Sequence, residues 1–210
     1  MMVRMAADGA RVGRTGRDRA RGRPWPVLGV VAVLAGLAAG CTGDDPEAPD
    51  QGTQQPVALE VRIASCAGPA DADARASLES GIGDTLSSYV VAGFLGDYPR
   101  EDFVRSFDVF TSGAAEKAAG DIDVLTAADY QDAEGVDATR LRARISCLAQ
   151  GGKVIGATAH VELDFAAEQG GPAPTPFTLS GRFLLVPGPR GWSVFGYDVS
   201  RDDLDRAARS

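Results

Sequence analysis

Residues 139–165 decide the fold, and they read Thr-Arg-Leu-Arg-Ala-Arg-Ile-Ser-Cys-Leu-Ala-Gln-Gly-Gly-Lys-Val-Ile-Gly-Ala-Thr-Ala-His-Val-Glu-Leu-Asp-Phe. Apolar and polar side chains alternate on both sides of a Gly-Gly turn at residues 151–152. A period of two residues is typical of β-strands that bury one face, and paired glycines suit the positive φ of a hairpin turn. The stretch therefore predicts an antiparallel hairpin.

The polar face of this hairpin carries charges of both signs. Arg140, Arg142 and Arg144 belong to its first strand, and Glu162 and Asp164 belong to its second. Because opposite charges on neighbouring strands attract one another, we predict cross-strand ion pairs on a solvent-exposed surface.

Further strands and a long helix flank the hairpin. Residues 177–186 and 192–199 predict a second hairpin, followed by a polar tail at residues 201–210. Upstream, residues 74–95 place apolar side chains three and four positions apart, which predicts an amphipathic helix. Residues 57–63 alternate and predict an early strand. In the helix, Gly81 and Gly83 indicate positions of close packing.

Short elements are predicted between the helix and the hairpins. Pro99 suits the first position of a second helix, and Thr111 suits the cap of a third, which ends near residue 119. Residues 121–137 contain six acidic side chains, but their spacing does not match a calcium-binding EF-hand loop, so a solvated loop is predicted. The whole order predicts an α+β fold, with one domain at residues 57–200 in which the helices pack on an antiparallel sheet.

Residues 1–40 have the layout of an export signal. Seven arginines and two aspartates precede an uncharged run, which ends in small residues before Cys41. A basic segment, an apolar segment and small residues in that order direct export and cleavage. Two alternatives remain open: an uncleaved anchor, since a run of about 17 residues is at the lower edge for spanning a bilayer, and an ordinary secretory signal.

The end of the apolar run, Leu37-Ala38-Ala39-Gly40-Cys41, resembles a bacterial lipobox, with Ala38 where Leu is usual. The resemblance implies cleavage before Cys41, attachment of a diacylglyceryl group to its thiol, and acylation of the new amine by a fatty acid such as palmitate. We therefore expect a lipoprotein anchored to the extracytoplasmic face of the cell membrane.

Composition limits the partners of the exported part. Residues 41–56 contain three prolines and four acidic residues and no large apolar side chain, which predicts a disordered tether. Of the 21 basic and 29 acidic residues of the chain, the first 40 positions hold seven and two, so the remainder has a net charge of −13. This charge argues against binding nucleic acid or anionic headgroups. The predicted partners are the membrane, through the lipid, and an apolar ligand or an envelope protein.

Cys66 and Cys147 are the cysteines that remain if Cys41 carries lipid. An even pair in an exported domain predicts a disulfide bond. Two buried free thiols are the alternative.

The end of the chain is similar to the end of nuclear-transport-factor-two-like domains, in residues 181–186 (Gly-Arg-Phe-Leu-Leu-Val) and 191–198 (Gly-Trp-Ser-Val-Phe-Gly-Tyr-Asp). The helix before the Gly-Asp-Tyr-Pro at residues 96–99, with the Phe-rich segment after it, resembles the front half of Mce-associated exported proteins of that fold. The resemblance covers residues 74–199 and implies a cone, in which a curved sheet wraps around the long helix. The early strand and the cysteine pair depart from the pattern.

Two classes of function follow from these patterns. The first is a non-catalytic ligand- or partner-binding or scaffolding module of the cell envelope, with no cofactor, metal or catalytic residue. The alternative is a lipid-anchored enzyme of the isomerase or hydrolase type, because enzymes of the resembled fold place Asp, His or Tyr in the cone as acid–base groups. Its candidate residues are Asp84, Tyr89 and His160. The alternation places His160 on the polar face of its strand, which favours the first class.

Overall fold

The computed structural model describes residues 57–203. The predictions of a signal peptide, a lipidated Cys41, a tether and a tail at residues 204–210 lie outside the described residues. The strands are β1 (Glu60–Ala67), β2 (Gly135–Gln150), β3 (Lys153–Glu168), β4 (Thr175–Gly188) and β5 (Gly191–Asp203). The α-helices are α1 (Ala72–Gly93), α2 (Ser112–Gly120) and α3 (Ile122–Leu125), and two 3₁₀ helices span Phe103–Val109 and Ala128–Tyr130.

The five strands form one curved sheet in the order β1-β2-β3-β4-β5. The strands from β2 to β5 are antiparallel neighbours, as the two predicted hairpins require. The early strand β1 runs parallel to β2 along the edge of the sheet. A parallel pair needs a crossover connection, and α1 with the short helices supplies it. The predicted α+β class is confirmed.

The inner face of the sheet packs against the helices. Along β2 and β3, the positions that alternation assigns to one face are buried, including Leu141, Ile145, Leu163 and Phe165. Asp71 caps the start of helix α1, and its carboxylate accepts a hydrogen bond of 2.7 Å from the backbone N–H of Ala74 in the first turn. The helix turns an apolar stripe toward the sheet, and the buried members of that stripe are Leu78, Ile82, Leu86 and Tyr89.

Aromatic rings fill the space between α1 and the sheet. Phe94 stacks on Phe165 with ring centroids 4.3 Å apart, and Tyr89 meets Phe183 edge-on at 5.1 Å. All four side chains are at most 1% exposed. Aromatic pairs in these geometries stabilise a core beyond the area that they bury.

The prediction of a helix starting at Pro99 is wrong, since the next helix begins at Phe103. The reason is the side chain of Arg100, which reaches back to the end of α1 and donates hydrogen bonds to the carbonyl oxygens of Ala92 (2.8 Å) and Leu95 (2.5 Å). Its backbone N–H donates to the carbonyl oxygen of Gln131 at 3.0 Å. These bonds hold the segment in a non-helical path.

The acidic stretch at residues 121–137 is also more ordered than a solvated loop. It contains α3, the second 3₁₀ helix and the start of β2, and its apolar side chains Leu125, Ala127 and Tyr130 are buried. Strand β5 likewise extends to Asp203, three residues into the predicted tail. Within residues 57–203, no helix is both long and apolar enough to cross a membrane.

Candidate functional site

The outer face of the sheet is the candidate site. The helices pack on the inner face, and among the described residues nothing covers the opposite one. Outward positions of β2 and β3, such as Arg144, His160 and Glu162, are exposed. The strand register therefore decides which side chains meet on this open surface.

One row of that register is basic. Arg62 of β1 lies opposite Arg144 of β2, which lies opposite His160 of β3, which lies opposite Arg182 of β4. We call these four side chains the basic row. Neighbouring strands lie about 4.8 Å apart, so the row places similar groups side by side.

Ion pairs neutralise part of this face. Arg140 contacts Glu162 at 2.7 Å and Asp164 at 2.6 Å, which confirms the predicted cross-strand pairs. Arg142 lies 3.6 Å from the carboxylate of Glu60. In the basic row, Arg62 pairs with Glu60, and Arg182 pairs with Asp198 at 2.7 Å.

Arg144 and His160 differ from their neighbours because neither makes an ion pair or a side-chain hydrogen bond with any of the residues 57–203. Two depressions of about 210 Å³ each lie on the surface beside them, and Arg142 and Arg144 line both. Glu60 and Arg62 complete the lining of one depression. His160, Val161 and Glu162 complete the lining of the other.

An apolar groove of about 410 Å³ lies on the same face, nearer the hairpin turns. Three of its side chains are strongly exposed for apolar residues: Leu148 (51%), Ile155 (44%) and Phe195 (48%). Leu184 and Val186 of β4 complete what we call the apolar groove.

Two β-bulges account for the exposure of Ile155 and Phe195, whereas Leu148 faces outward by its alternation with Arg144. The register steps from Leu184↔Gly196 to Leu185↔Val194, which leaves Phe195 as an extra residue in β5. A similar step from Leu148↔Gly156 to Ala149↔Val154 leaves Ile155 extra in β3. A bulge redirects side chains in this way. Sequence reasoning missed the groove because strict alternation does not reveal a bulge.

The three candidate acid–base residues do not come together. Asp84 is exposed on α1, and His160 is exposed on the outer face of the sheet. Tyr89 is buried in the core, where its hydroxyl donates to the carbonyl oxygen of Leu125. Burial raises the pKa of Tyr89 well above its ordinary value, and the neighbouring Tyr197 raises it further. The part of the chain described here therefore holds no pocket that combines these groups.

The predicted disulfide is present between Cys66 and Cys147. The two residues are register partners on β1 and β2, with Cα atoms 4.4 Å apart.

Residues 57–203 contain no group of three or more His, Cys, Asp or Glu side chains placed to hold a metal ion. No protein-family model, curated protein or solved structure matches the chain.

Proposed function

We propose that the chain is an exported lipoprotein of the cell envelope, anchored to the membrane through Cys41, whose domain binds a partner without catalysing a reaction. The observation that carries this proposal is the outer face, which nothing among residues 57–203 covers: it combines an exposed apolar groove with a basic row in which Arg144 and His160 have no ion-pair partner among those residues.

The positions of the three cysteines support export and anchoring. Cys41 directly follows the small residues that end the apolar run. The other two cysteines are bonded to one another, and disulfides persist in oxidising compartments outside the cytoplasm. A lipobox and a disulfide in the same chain fit a protein that works on the extracytoplasmic face.

A binding role is supported by where the functional groups lie. The interior between α1 and the sheet is filled by aromatic rings such as Phe94, Phe165 and Phe183, so it offers little room for a substrate. Charged and apolar side chains instead share an exposed face, as they do at protein–protein interfaces.

We also propose that the domain is a nuclear-transport-factor-two-like cone. Support comes from four antiparallel strands in sequential order and from the helix that covers their inner face. Trp192, at the start of the last strand, packs against this helix at Gly81. The early strand β1 and the cysteine pair that joins it to β2 depart from the resembled fold.

Expression of the full chain in a lipoprotein-processing bacterium tests the proposal. Intact-mass analysis of the membrane-extracted protein should show loss of residues 1–40 and a gain of acyl mass, and Cys41→Ser should release the protein from the membrane. Cys66→Ser is the matched control, since it removes a different cysteine and should leave the anchor intact. Gentle extraction should also recover a stoichiometric partner protein. An unacylated chain that begins elsewhere would refute the anchor, and extraction of the protein alone would refute the binding role.

A further inference from the structure

We propose that the outer face binds an α-helix of a partner protein, with the helix's apolar stripe in the apolar groove and its acidic flank against the basic row. The inference rests on the proposed binding function and specifies the chemistry of the partner.

The basic row and the apolar groove lie on either side of a strip of small side chains on the outer face, and we call this strip with its two borders the trough. Arg144 and Leu148 point outward from β2 four residues apart, which corresponds to about 13 Å along a strand. Between them the surface is formed by Ser146 of β2 and its register partner Thr158 of β3, two small side chains that also line the groove. A helix with its side chains is about 10–12 Å in diameter, so it fits across this floor.

The length of the trough fits two or three helical turns. The basic row crosses from Arg62 on β1 to Arg182 on β4, three strand spacings or about 14 Å. At 1.5 Å per residue, roughly nine or ten residues of a helix span that distance. Amphipathic helices that lie in grooves are recognised through anchors at positions i, i+3, i+4 and i+7, and this spacing matches such a span.

The charge of the basic row favours a partner helix that carries acidic residues on one flank. Arg144 has no acidic side chain paired with it among residues 57–203, and neither has His160 beside it. The chain beyond residue 40 has a net charge of −13, so a basic row is an exception on this protein. Carboxylates of a partner would supply the missing counter-charges and steer the two proteins together.

The same face is less suited to a small ligand or a lipid surface. A small-molecule site encloses most of its ligand in a concavity, whereas Leu148, Ile155 and Phe195 are about half exposed on the face of a sheet. An anionic bilayer would also meet the carboxylates of Glu162 and Asp198, which share this surface. Asp198 is the register partner of Arg182 and neutralises that end of the basic row, so the acidic flank of a partner helix would pair with Arg144.

Site-specific photo-crosslinking of the full, membrane-anchored chain in its own cells tests the inference. A photoreactive amino acid is placed at Ile155, in the groove, and as a matched control at Val104, which is also apolar, is 57% exposed and lies in the 3₁₀ helix Phe103–Val109 and not on the sheet. Sequencing of the crosslinked peptides should show that Ile155 captures a segment with apolar residues three and four apart and acidic residues on one flank. Val104 should not capture it.

Charge reversal then tests the basic row. Arg144→Glu should lower the crosslinking yield from Ile155 at least tenfold, and Arg144→Gln should lower it less. Arg105→Glu, the same change at an exposed position of a 3₁₀ helix, should leave the yield unaltered. Replacement of the acidic residues of the captured segment by Arg should restore the yield with Arg144→Glu. A near-native melting temperature of each variant shows that the fold is retained.

Each contrary result has a distinct meaning. Capture of lipid, of a second copy of this chain or of a segment without acidic residues would overturn the inference, as would an unchanged yield with Arg144→Glu. A partner captured from Val104 alone would overturn the inference and leave the binding function standing. No captured protein at either position would overturn both.

Discussion

The indole ring of Trp192 lies directly against Gly81 of α1. A Cβ atom on Gly81 would come within 2.8 Å of Cδ1 and 3.1 Å of Nε1 of that ring. Two residues later, a Cβ atom on Gly83 would lie 3.6 Å from Cγ2 of Val61, which is an ordinary van der Waals contact. The sequence predicted close packing at both glycines, and the structure requires it only at Gly81.

Substitution of the two glycines by alanine should therefore have opposite effects. Gly83→Ala should raise the free energy of unfolding by up to about 1 kcal/mol, because alanine is the better helix former. Gly81→Ala should lower it by about 1–2 kcal/mol, because the added methyl group displaces Trp192 and overpacks the core. Urea denaturation, followed by tryptophan fluorescence, measures both values. Equal stabilisation by both variants would contradict the account.

Arg201 should be a second determinant of stability. Its side chain is 5% exposed, donates hydrogen bonds to the carbonyl oxygens of Asp123 and Thr126, and pairs with Asp129 at 2.7 Å. The guanidinium also lies over the rings of Tyr130 and Phe177, 5.4 Å from each centroid. It thereby holds α3 and the adjacent 3₁₀ helix against the sheet.

Arg201→Met keeps most of the apolar stem and removes the donors. We expect a loss of about 1–3 kcal/mol, because the carbonyl oxygen of the buried Thr126 loses this donor, whereas that of the exposed Asp123 can bond to water. Arg182→Met is the control, because the ion pair of Arg182 with Asp198 is exposed and exposed pairs contribute at most about 1 kcal/mol. If thermal denaturation shows equal losses for the two variants, Arg201 has no special structural role.

Local signals account for what the sequence predicted correctly. The period of two in residues 139–165 depends only on neighbours in the chain, and it was sufficient to predict β2, β3 and their ion pairs. Helix α1 was predicted for the same reason, from its period of three and four. The pairing of Cys66 with Cys147 was predicted because they form an even pair in a domain that is expected to be exported.

Contacts between distant residues account for what was missed. The sequence predicts that Arg201 belongs to a polar tail. In the fold it donates a hydrogen bond to the carbonyl oxygen of Thr126, at the end of α3, although the two residues are 75 positions apart in the sequence. The direction of β1 depends on a crossover through all the helices, which alternation within β1 does not encode. The apolar groove depends on bulges at Ile155 and Phe195, and bulges become visible only when two strands are aligned.

The stability of the domain should fall at high pH because of Tyr98. Its hydroxyl donates to the carbonyl oxygen of Phe94 at 2.7 Å, and burial raises its pKa from 10 to about 12, although Arg100 acts in the opposite direction. The folded state therefore favours the neutral phenol. This contribution is fully present below pH 10, where Tyr98 is neutral in both states, and is lost between pH 10 and about 12.

Tyr98→Phe isolates that effect, since phenylalanine keeps the ring and does not ionise. The difference in unfolding free energy between the native protein and Tyr98→Phe should move against the native protein as the pH rises from 9 toward 12. Urea denaturation at several pH values measures it. A difference that stays constant over this range would show that Tyr98 does not carry the effect.

The disulfide should hold the edge strand β1 in place. Among residues 57–203 this strand pairs with β2 alone, and the bond between Cys66 and Cys147 joins the two strands at register partners. It closes a loop over a sequence separation of 81 residues, for which chain entropy gives a stabilisation of about 4 kcal/mol. Strand β3, by contrast, lies between β2 and β4.

The double variant Cys66→Ser, Cys147→Ala lacks the bond. It should therefore lose stability locally in β1 as well as globally. Amide hydrogen exchange should accelerate most in β1, because an edge strand opens at a lower free energy than a central one. Exchange in β3 should accelerate only as far as the global loss of stability requires. Reduction of the native protein should reproduce the pattern, and the same reductant should have no effect on the double variant. Equal acceleration in β1 and β3 would show that the bond stabilises the domain only through the unfolded chain, and not by holding its edge.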